Sequence, residues 1–154
     1  MITKLNPQEA RSEAVRLVTN TLLGVMVTVD EQGVPQPRWM GAASMDSLRR
    51  IYCLTARNTR KLQQLKAAPV VTWMFTSDKG DQVVTLYGKA SIMDSPMATQ
   101  QVWDRIIEIG EPYFMSTMGE TSSTELVAIE TIVERIELLS PRHGIFDPMS
   151  LPVG

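Results

Sequence analysis

The residues best suited to chemistry lie in one basic segment, Thr55–Pro69, with the sequence TARNTRKLQQLKAAP. The chain as a whole is mildly acidic, with 15 Lys and Arg against 17 Asp and Glu and a net charge of −2. Between Ser47 and Ser77, however, there is no Asp or Glu, and basic residues accumulate: Arg49, Arg50, Arg57, Arg60, Lys61 and Lys66. A local surplus of cations in an acidic protein indicates a site for a negatively charged ligand.

The basic segment is predicted to be the end of a strand followed by a short helix. The helix is expected to begin at Asn58 or Thr59, because both are good N-cap residues and the first N–H groups of a helix have no partner within it. Arg60 and Lys61 then fall in the first turn, where positive charge is unfavourable against the helix dipole unless an anion offsets it. Phosphate is the natural candidate for that anion.

Two other interpretations of the basic segment stay open from these residues alone. The first is a solvated basic helix face. The second is a patch for RNA or DNA, which is disfavoured because the segment has no interleaved aromatic residues and the chain is not basic overall.

The remaining reactive side chains give weaker indications. Cys53 is the single cysteine and lies in RIYCLT, which is typical of a strand interior, so we expect it to act as a small buried hydrophobe. His143 is the only histidine, and we expect it to pack at the surface or in the tail. With one His and one Cys far apart, neither a metal site nor a Ser-His-Asp triad is expected. No catalytic side chain is identified.

Length and composition predict a single domain, residues 1–154, of which 44% are hydrophobic and 21% charged. The first residues mix acids and bases, whereas a signal peptide has an uninterrupted apolar centre. No apolar run reaches the ~18 residues of a membrane span. We therefore expect a cytoplasmic protein with neither a membrane nor a nucleic-acid partner.

Periodicity predicts the elements that must position the basic segment. An amphipathic helix follows Asn6, and six strands are predicted at LLGVMVTVD, RWMGAASM, LRRIYCLT, PVVTWMFT, QVVTLYGKASIMD and TELVAIETIVERIELL. Further helices are predicted at TRKLQQLKAA, ended by Pro69, and at SPMATQQVWDRIIEIG, ended by Gly110. The connection DEQGVPQP, residues 112–123 and the tail from Ser140 are predicted to be irregular. A helix stays an alternative for the last strand on propensity.

Most connections between the predicted strands are too short for a parallel crossover, so the sheet is expected to be mainly antiparallel. Curling into a barrel would remove the edges of this sheet. The predicted fold class is therefore mainly β with inserted helices.

Several of these segments resemble one known family. TRKLQQLKAAP is similar to the Ser-Arg-Lys…Leu…Asn-Pro stretch of the pyridoxamine 5′-phosphate oxidase-like split-barrel flavoproteins. Upstream, PQPRWMGAA resembles the second barrel strand of that family and IYCLT its third strand. Downstream, VVTLYGKASIMD resembles a valine-rich strand that ends in Gly followed by a small residue. The resemblance runs in the right order from Leu22 to Asp94.

The resemblance implies an FMN-binding split β-barrel, mostly antiparallel, that forms a homodimer with FMN at the subunit interface. Arg60 and Lys61 match family residues that bind the FMN phosphate. Thr59 stands where the family has Ser, and Arg38 matches the arginine of the second strand.

The same resemblance implies contacts to the isoalloxazine ring of FMN. Trp39 and Met40 would lie along the ring, while Leu54 and Thr55 would reach it mainly through backbone groups. In a regular strand Trp39 and Arg38 point to opposite faces, so one of the two would contribute its backbone alone.

The chain departs from the vitamin-making oxidases of this family at two places. Ala43 stands where their second-strand motif ends in Lys, and Arg142 and His143 are adjacent, whereas the Arg and His of their substrate segment lie two residues apart. The chain is more similar to the small general stress protein branch, whose members bind FMN. The resemblance thus implies an FMN-dependent oxidoreductase that passes electrons from a reduced donor to a small acceptor, with a stress-related role. The alternatives are a non-catalytic flavin-binding or flavin-buffering protein, and a split barrel that uses haem or a deazaflavin.

Overall fold

The computed structural model describes residues 3–109 and 125–154. Within these residues lie three α-helices, eight strands and one 3₁₀ turn. In chain order they are α1 (Pro7–Thr21), β1 (Leu23–Val29), β2 (Pro35–Gly41), β3 (Ala43–Met45), β4 (Arg50–Ala56), α2 (Arg60–Ala67), β5 (Val70–Thr76), β6 (Val83–Met93), α3 (Pro96–Ile109), β7 (Leu126–Ser140), the 3₁₀ turn (Pro141–His143) and β8 (Ile145–Leu151).

The opening helix begins with a complete capping box. The Asn6 side chain accepts a hydrogen bond from the Glu9 backbone N–H at 2.8 Å, and the Glu9 carboxylate accepts one from the Asn6 N–H at 3.1 Å. One face of α1 is buried against the sheet, through Ala10, Ala14, Leu17 and Val18. The predicted amphipathic helix is confirmed.

All strand pairs are antiparallel, in the order β2-β1-β5-β6-β7-β4-β3, with β8 added beside β7. β2 and β3 lie at opposite ends of this order, yet Ala42 alone separates them in the chain. The sheet must therefore curl until its two ends approach each other. The predicted fold class, a curled and mostly antiparallel sheet with inserted helices, is confirmed.

Two predicted boundaries are wrong. RWMGAASM is not one strand but parts of β2 and β3, and β2 starts at Pro35, inside the predicted connection. Proline is tolerated there because β2 is an edge strand that pairs with β1 alone.

The tail is also more regular than the sequence predicts. Residues Ile145–Leu151 form β8, which pairs with β7. The segment IFDPMSL has low strand propensity, and its partner strand, which a local pattern does not reveal, supplies the pairing. By contrast, β7 confirms the predicted last strand and excludes the helix alternative.

Most of the sheet encloses the main core, in which Trp73 is fully buried and its indole N–H donates to the Thr131 hydroxyl at 3.1 Å. A second, smaller cluster lies beneath α3 and contains Tyr52, Leu54 and Ile106. The helix end expected at Gly110 and the irregular stretch expected at residues 112–123 lie outside the described residues. None of the helices in the described ranges has the length and apolar character needed to cross a membrane.

Candidate functional site

The basic segment folds as the sequence predicts, with Thr59 as the N-cap of α2. Asn58, in front of it, adopts a left-handed conformation (φ 62°), which Asn tolerates better than most residues. Leu62 and Leu65 anchor α2 to the core. The strand end, the turn and the helix start together hold the backbone N–H groups of the first turn of α2 at one end of β4.

The Thr59 side chain does not make the hydrogen bond that an N-cap residue usually makes. Its hydroxyl oxygen is buried and has no hydrogen-bond partner among the described residues. A buried polar group without a partner typically costs about 1–3 kcal/mol. The unpaired Thr59 hydroxyl indicates that a group from outside the basic segment would complete its hydrogen bonding.

Lys61 turns back toward the strand that precedes the helix. Its Nζ donates to the Thr55 hydroxyl at 2.7 Å, and Thr55 is itself 2% exposed. Burial lowers the pKa of the Lys61 ammonium, and the positive charge of Arg38 acts in the same direction. Lys61 is thus a partly desolvated cation with a neutral hydroxyl as its hydrogen-bond acceptor.

Arg38 approaches the same place from β2. Its guanidinium donates to the Met26 carbonyl oxygen at 3.3 Å and to the Gln64 side-chain oxygen at 3.5 Å. Burial lowers the pKa of Arg38, and the charge of Arg60 lowers it further. Both acceptors are neutral, so the charge of Arg38 is oriented without being cancelled.

Arg38, Arg60 and Lys61 therefore form a cluster of cations, here called the cation cluster. Across residues 3–109 and 125–154, no Asp or Glu forms an ion pair with any of the three. The neighbouring Arg57, by contrast, binds Asp94 at 2.8 Å. Arg38 and Lys61 are partly buried and Arg60 is exposed. Like charges held together where some are partly buried are costly unless an anion compensates them.

The remaining predicted site residues are placed differently. Trp39 points to the opposite face of β2 from Arg38 and is 55% exposed. Met40 is partly buried and packs against the main core. The Leu54 side chain points into the cluster beneath α3, away from Thr55 and Lys61. The structure thus brings together the side chains of Arg38, Thr55, Arg60 and Lys61, with Thr59 at the adjoining helix start, but not those of Trp39 and Leu54.

Three residues at the site carry no signal in the sequence. Gln64 meets Thr28 because α2 packs on β1, and this contact brings Gln64 to Arg38. The Met26 carbonyl meets Arg38 because the two residues are paired across β1 and β2. Cys53 is also close to the cation cluster, but it is completely buried in the core, and burial raises its pKa to about 12. The prediction that Cys53 is a small buried hydrophobe is confirmed.

A cavity of about 400 Å³ lies elsewhere, between α1 and the turn that joins β5 to β6. Two charged residues of its lining pair with each other, because Arg142 donates to both carboxylate oxygens of Asp81 at 2.6 and 2.9 Å. This contact lowers the pKa of Asp81 to about 2. His143 contacts the Ser140 hydroxyl at 2.8 Å, in agreement with the expected packing in the tail. Because its lining contains acidic as well as basic residues, this cavity is a weaker candidate for an anion site than the cation cluster.

Solved structures share the fold described above. A protein of Clostridium acetobutylicum related to general stress protein 26 is 16% identical to this chain, covers 96% of each chain and gives a TM-score of 0.76. An F420 reductase is 18% identical, covering 79% of this chain and 93% of its own, with a TM-score of 0.64. A FAD-binding protein of Mesorhizobium loti is 14% identical, covering 82% and 91%, with a TM-score of 0.67. At these identities the likeness establishes the split-barrel fold.

Sequence comparison establishes the family. No curated protein sequence matches the chain. The sequence profile of the family described as pyridoxamine 5′-phosphate oxidase matches residues 10–140, which include the whole cation cluster and all strands from β1 to β7. The chain therefore belongs to the pyridoxamine 5′-phosphate oxidase family.

Proposed function

We propose that the protein is an FMN-dependent oxidoreductase that passes electrons from a reduced donor to a small acceptor. The proposal rests on the position of the cation cluster beside the Thr59 hydroxyl. In the described residues the cation cluster has no carboxylate partner, and the buried Thr59 hydroxyl has no hydrogen-bond partner. In this proposal the phosphate of FMN is the missing anion.

The residues present fit a phosphate group in both charge and hydrogen bonding. A phosphate monoester carries a charge of about −1.5 to −2 at neutral pH and offers three strong acceptor oxygens. Thr59 would donate its hydroxyl, Arg60 and Lys61 would add charge-assisted bonds, and Arg38 would approach from β2. The backbone N–H groups at the start of α2 would point at the same oxygens.

The flavin ring would extend from this phosphate along β2 and β4. Met40 and the backbone groups of Leu54 and Thr55 are proposed to contact the ring, with Trp39 at its outer side. Bound FMN supplies the electron chemistry, so the residues of this chain bind and orient the flavin and exclude water from it. We therefore expect no side chain to act as an indispensable acid or base.

A homodimer is part of the proposal and is supported by the outer face of the sheet. Across β2, β1 and β5 the register places Trp39 beside Val25 and Val25 beside Met74. Trp39, Met74 and Val70 are all exposed, at 55%, 37% and 54%. Contiguous exposed apolar surface of this kind marks an interaction site. A second copy seated there would pack on the opposite face of β2 from Arg38, and in this proposal it completes the flavin pocket around that edge strand.

Other flavins are the main competing ligands. Two proteins of similar fold are an F420 reductase and a FAD-binding protein, so a deazaflavin or FAD would use the same phosphate-binding groups. Haem is less well supported, because the single histidine, His143, lies in the 3₁₀ turn after β7 and contacts Ser140.

The proposal is tested by titrating FMN, FAD and riboflavin into the purified protein and following flavin fluorescence. Wild type is compared with Arg60→Ala/Lys61→Ala, and Arg57→Ala/Lys66→Ala removes the same charge outside the cation cluster as a matched control. Because a hydrogen bond to a charged group contributes about 1.5–3 kcal/mol, the first double variant should lose FMN affinity at least 100-fold. The control should bind FMN as wild type does, and riboflavin, which lacks the phosphate, should bind weakly to all three proteins.

Equal FMN binding by wild type and Arg60→Ala/Lys61→Ala, or no binding by either, would contradict the proposal. Turnover is assayed separately, as the oxidation of reduced nicotinamide in the presence of a quinone. A protein that binds FMN through the cation cluster but turns over no donor and acceptor pair would instead be a flavin-binding or flavin-buffering protein.

A further inference from the structure

We propose that Gln64, held in place by Thr28, is a positioning residue that aims Arg38 at the phosphate of the bound flavin. This inference rests on the proposed function, since it concerns the same phosphate site. It assigns a role to two residues that the sequence pattern does not mark.

The three side chains form a chain of hydrogen bonds from β1 through α2 to β2. The Thr28 hydroxyl, fully buried on β1, donates to the Gln64 side-chain oxygen at 2.5 Å. The same oxygen accepts from the Arg38 Nη2 at 3.5 Å, while Nη1 of Arg38 donates to the Met26 carbonyl at 3.3 Å. An amide oxygen has two lone pairs, so Gln64 accepts both bonds at once.

The amide group suits this role because it is neutral. Arg38 is oriented by two carbonyl oxygens and keeps its full charge and its remaining N–H groups for an anion. A carboxylate at the same place would hold the guanidinium more tightly but would cancel its charge and repel a phosphate. Gln64→Glu is therefore a near-isosteric change that separates orientation from charge.

Gln64 also links Arg38 to the start of α2. It lies four residues after Arg60, so the two side chains share one face of the helix. The bond to Thr28 fixes this face over β1, next to the strand that carries Arg38. The pairing of Gln64 with Arg38 thereby sets the distance between the β2 cation and the helix start that carries Thr59, Arg60 and Lys61.

The test is an FMN titration of wild type, Thr28→Ser, Thr28→Val, Gln64→Leu, Gln64→Glu, Arg38→Ala and Arg38→Ala/Gln64→Leu. Thr28→Val and Gln64→Leu should each weaken FMN binding about tenfold, the value of one well-made hydrogen bond. Thr28→Ser, which keeps the hydroxyl, should bind as wild type does. Gln64→Glu should bind more weakly than Gln64→Leu.

The decisive comparison is the double variant. If Gln64 acts through Arg38, then Gln64→Leu has no further effect on FMN affinity once Arg38 is alanine. A merely structural role would instead lower affinity by the same factor in both backgrounds, and that result would overturn the inference. Thermal unfolding without ligand checks each variant, and if Gln64→Leu does not fold, the Thr28→Ser and Thr28→Val pair decides the question.

The outcomes also separate this inference from the function on which it rests. Wild type that does not bind FMN overturns both. Wild type that binds FMN tightly, with Thr28→Val and Gln64→Leu unchanged, overturns the positioning role alone.

Discussion

Among single residues, Thr59 supports the proposed phosphate site most directly, through its hydroxyl group. An N-cap threonine normally accepts a hydrogen bond from the helix, and its loss then destabilises the protein by about 1 kcal/mol. Here the hydroxyl is buried, makes no cap bond and has no partner in the described part of the chain. Such an arrangement costs stability in the ligand-free protein, and binding a phosphate would recover that cost.

Thr59→Val is expected to have opposite effects on stability and on FMN binding. Valine has nearly the same shape and removes the buried polar atom, so the free energy of unfolding without FMN should rise by about 1 kcal/mol. FMN affinity should fall about tenfold, because one hydrogen bond to the phosphate is lost. Chemical denaturation measures the first quantity and a fluorescence titration the second.

Thr59→Ser is the control for this prediction, because it keeps the hydroxyl and should bind FMN as wild type does. If Thr59→Val instead lowers the stability of the ligand-free protein and leaves FMN affinity unchanged, Thr59 is an ordinary cap residue. The hydroxyl would then have no part in phosphate binding.

The start of α2 could be predicted from the sequence, but the residues that pack around it could not. Asn58, Thr59, Arg60 and Lys61 are consecutive, and the rules of helix capping apply to them directly. The contact between Thr28 and Gln64 joins residues 36 positions apart. Such a pair depends on how α2 packs on β1, which no local pattern encodes.

Among the strands, β6 and β7 approach each other closely at Gly88, which lies at an irregularity in their pairing. The register of β6 against β7 shifts between Tyr87 and Gly88, which marks a β-bulge. A Cβ atom added at Gly88 would lie 2.2 Å from the backbone oxygen of Ile132 and 3.0 Å from its carbonyl carbon. The obstacle is backbone on the longest strand of the sheet, which cannot move without disturbing β4 and β8.

Gly88→Ala is therefore expected to lower the free energy of unfolding by about 1–3 kcal/mol or more, as overpacking does in a well-packed interior. The direction of the change in the free energy of unfolding is informative, because Gly→Ala at an unstrained position usually stabilises a protein. Ser91→Ala, at an exposed position of the same strand, should change stability by less than about 0.5 kcal/mol. Urea denaturation of both variants measures the difference, and a Gly88→Ala protein as stable as wild type would show that β7 yields at this point.

The sequence predicts some of the strands and misses others, because some strands depend on a partner strand that is distant in the chain. β5 and β6 follow from apolar alternation and a turn, and both are confirmed. β8 contains Asp147 and Pro148 and exists because β7 offers it a partner. β2 includes Pro35 and Pro37, which the sequence indicates as a connection and which an edge position permits.

In the molecule as a whole, the curling of the sheet determines which of its surfaces stay exposed to solvent. The interior of the curled sheet is filled by the main core, with Ala10, Ala14, Leu17 and Val18 of α1 closing one side. The outer face of β2, β1 and β5 has no helix of the described chain packed on its exposed residues Trp39, Met74 and Val70. This outer face and Arg38 occupy opposite faces of the same edge strand, β2, so oligomeric state and cofactor binding are expected to depend on each other.

Met74→Glu is expected to convert a dimer into a monomer and to weaken FMN binding at the same time. Met74 lies on β5 within the outer face, where an interface of standard size would bury it and leave the new carboxylate without a partner. Met97→Glu is the matched control, because Met97 is 73% exposed on α3, away from the outer face, and this variant should remain dimeric. Light scattering gives the mass of each variant, and the fluorescence titration gives its FMN affinity. A monomeric wild type that binds FMN tightly would contradict the interface and would place the whole flavin pocket within one chain.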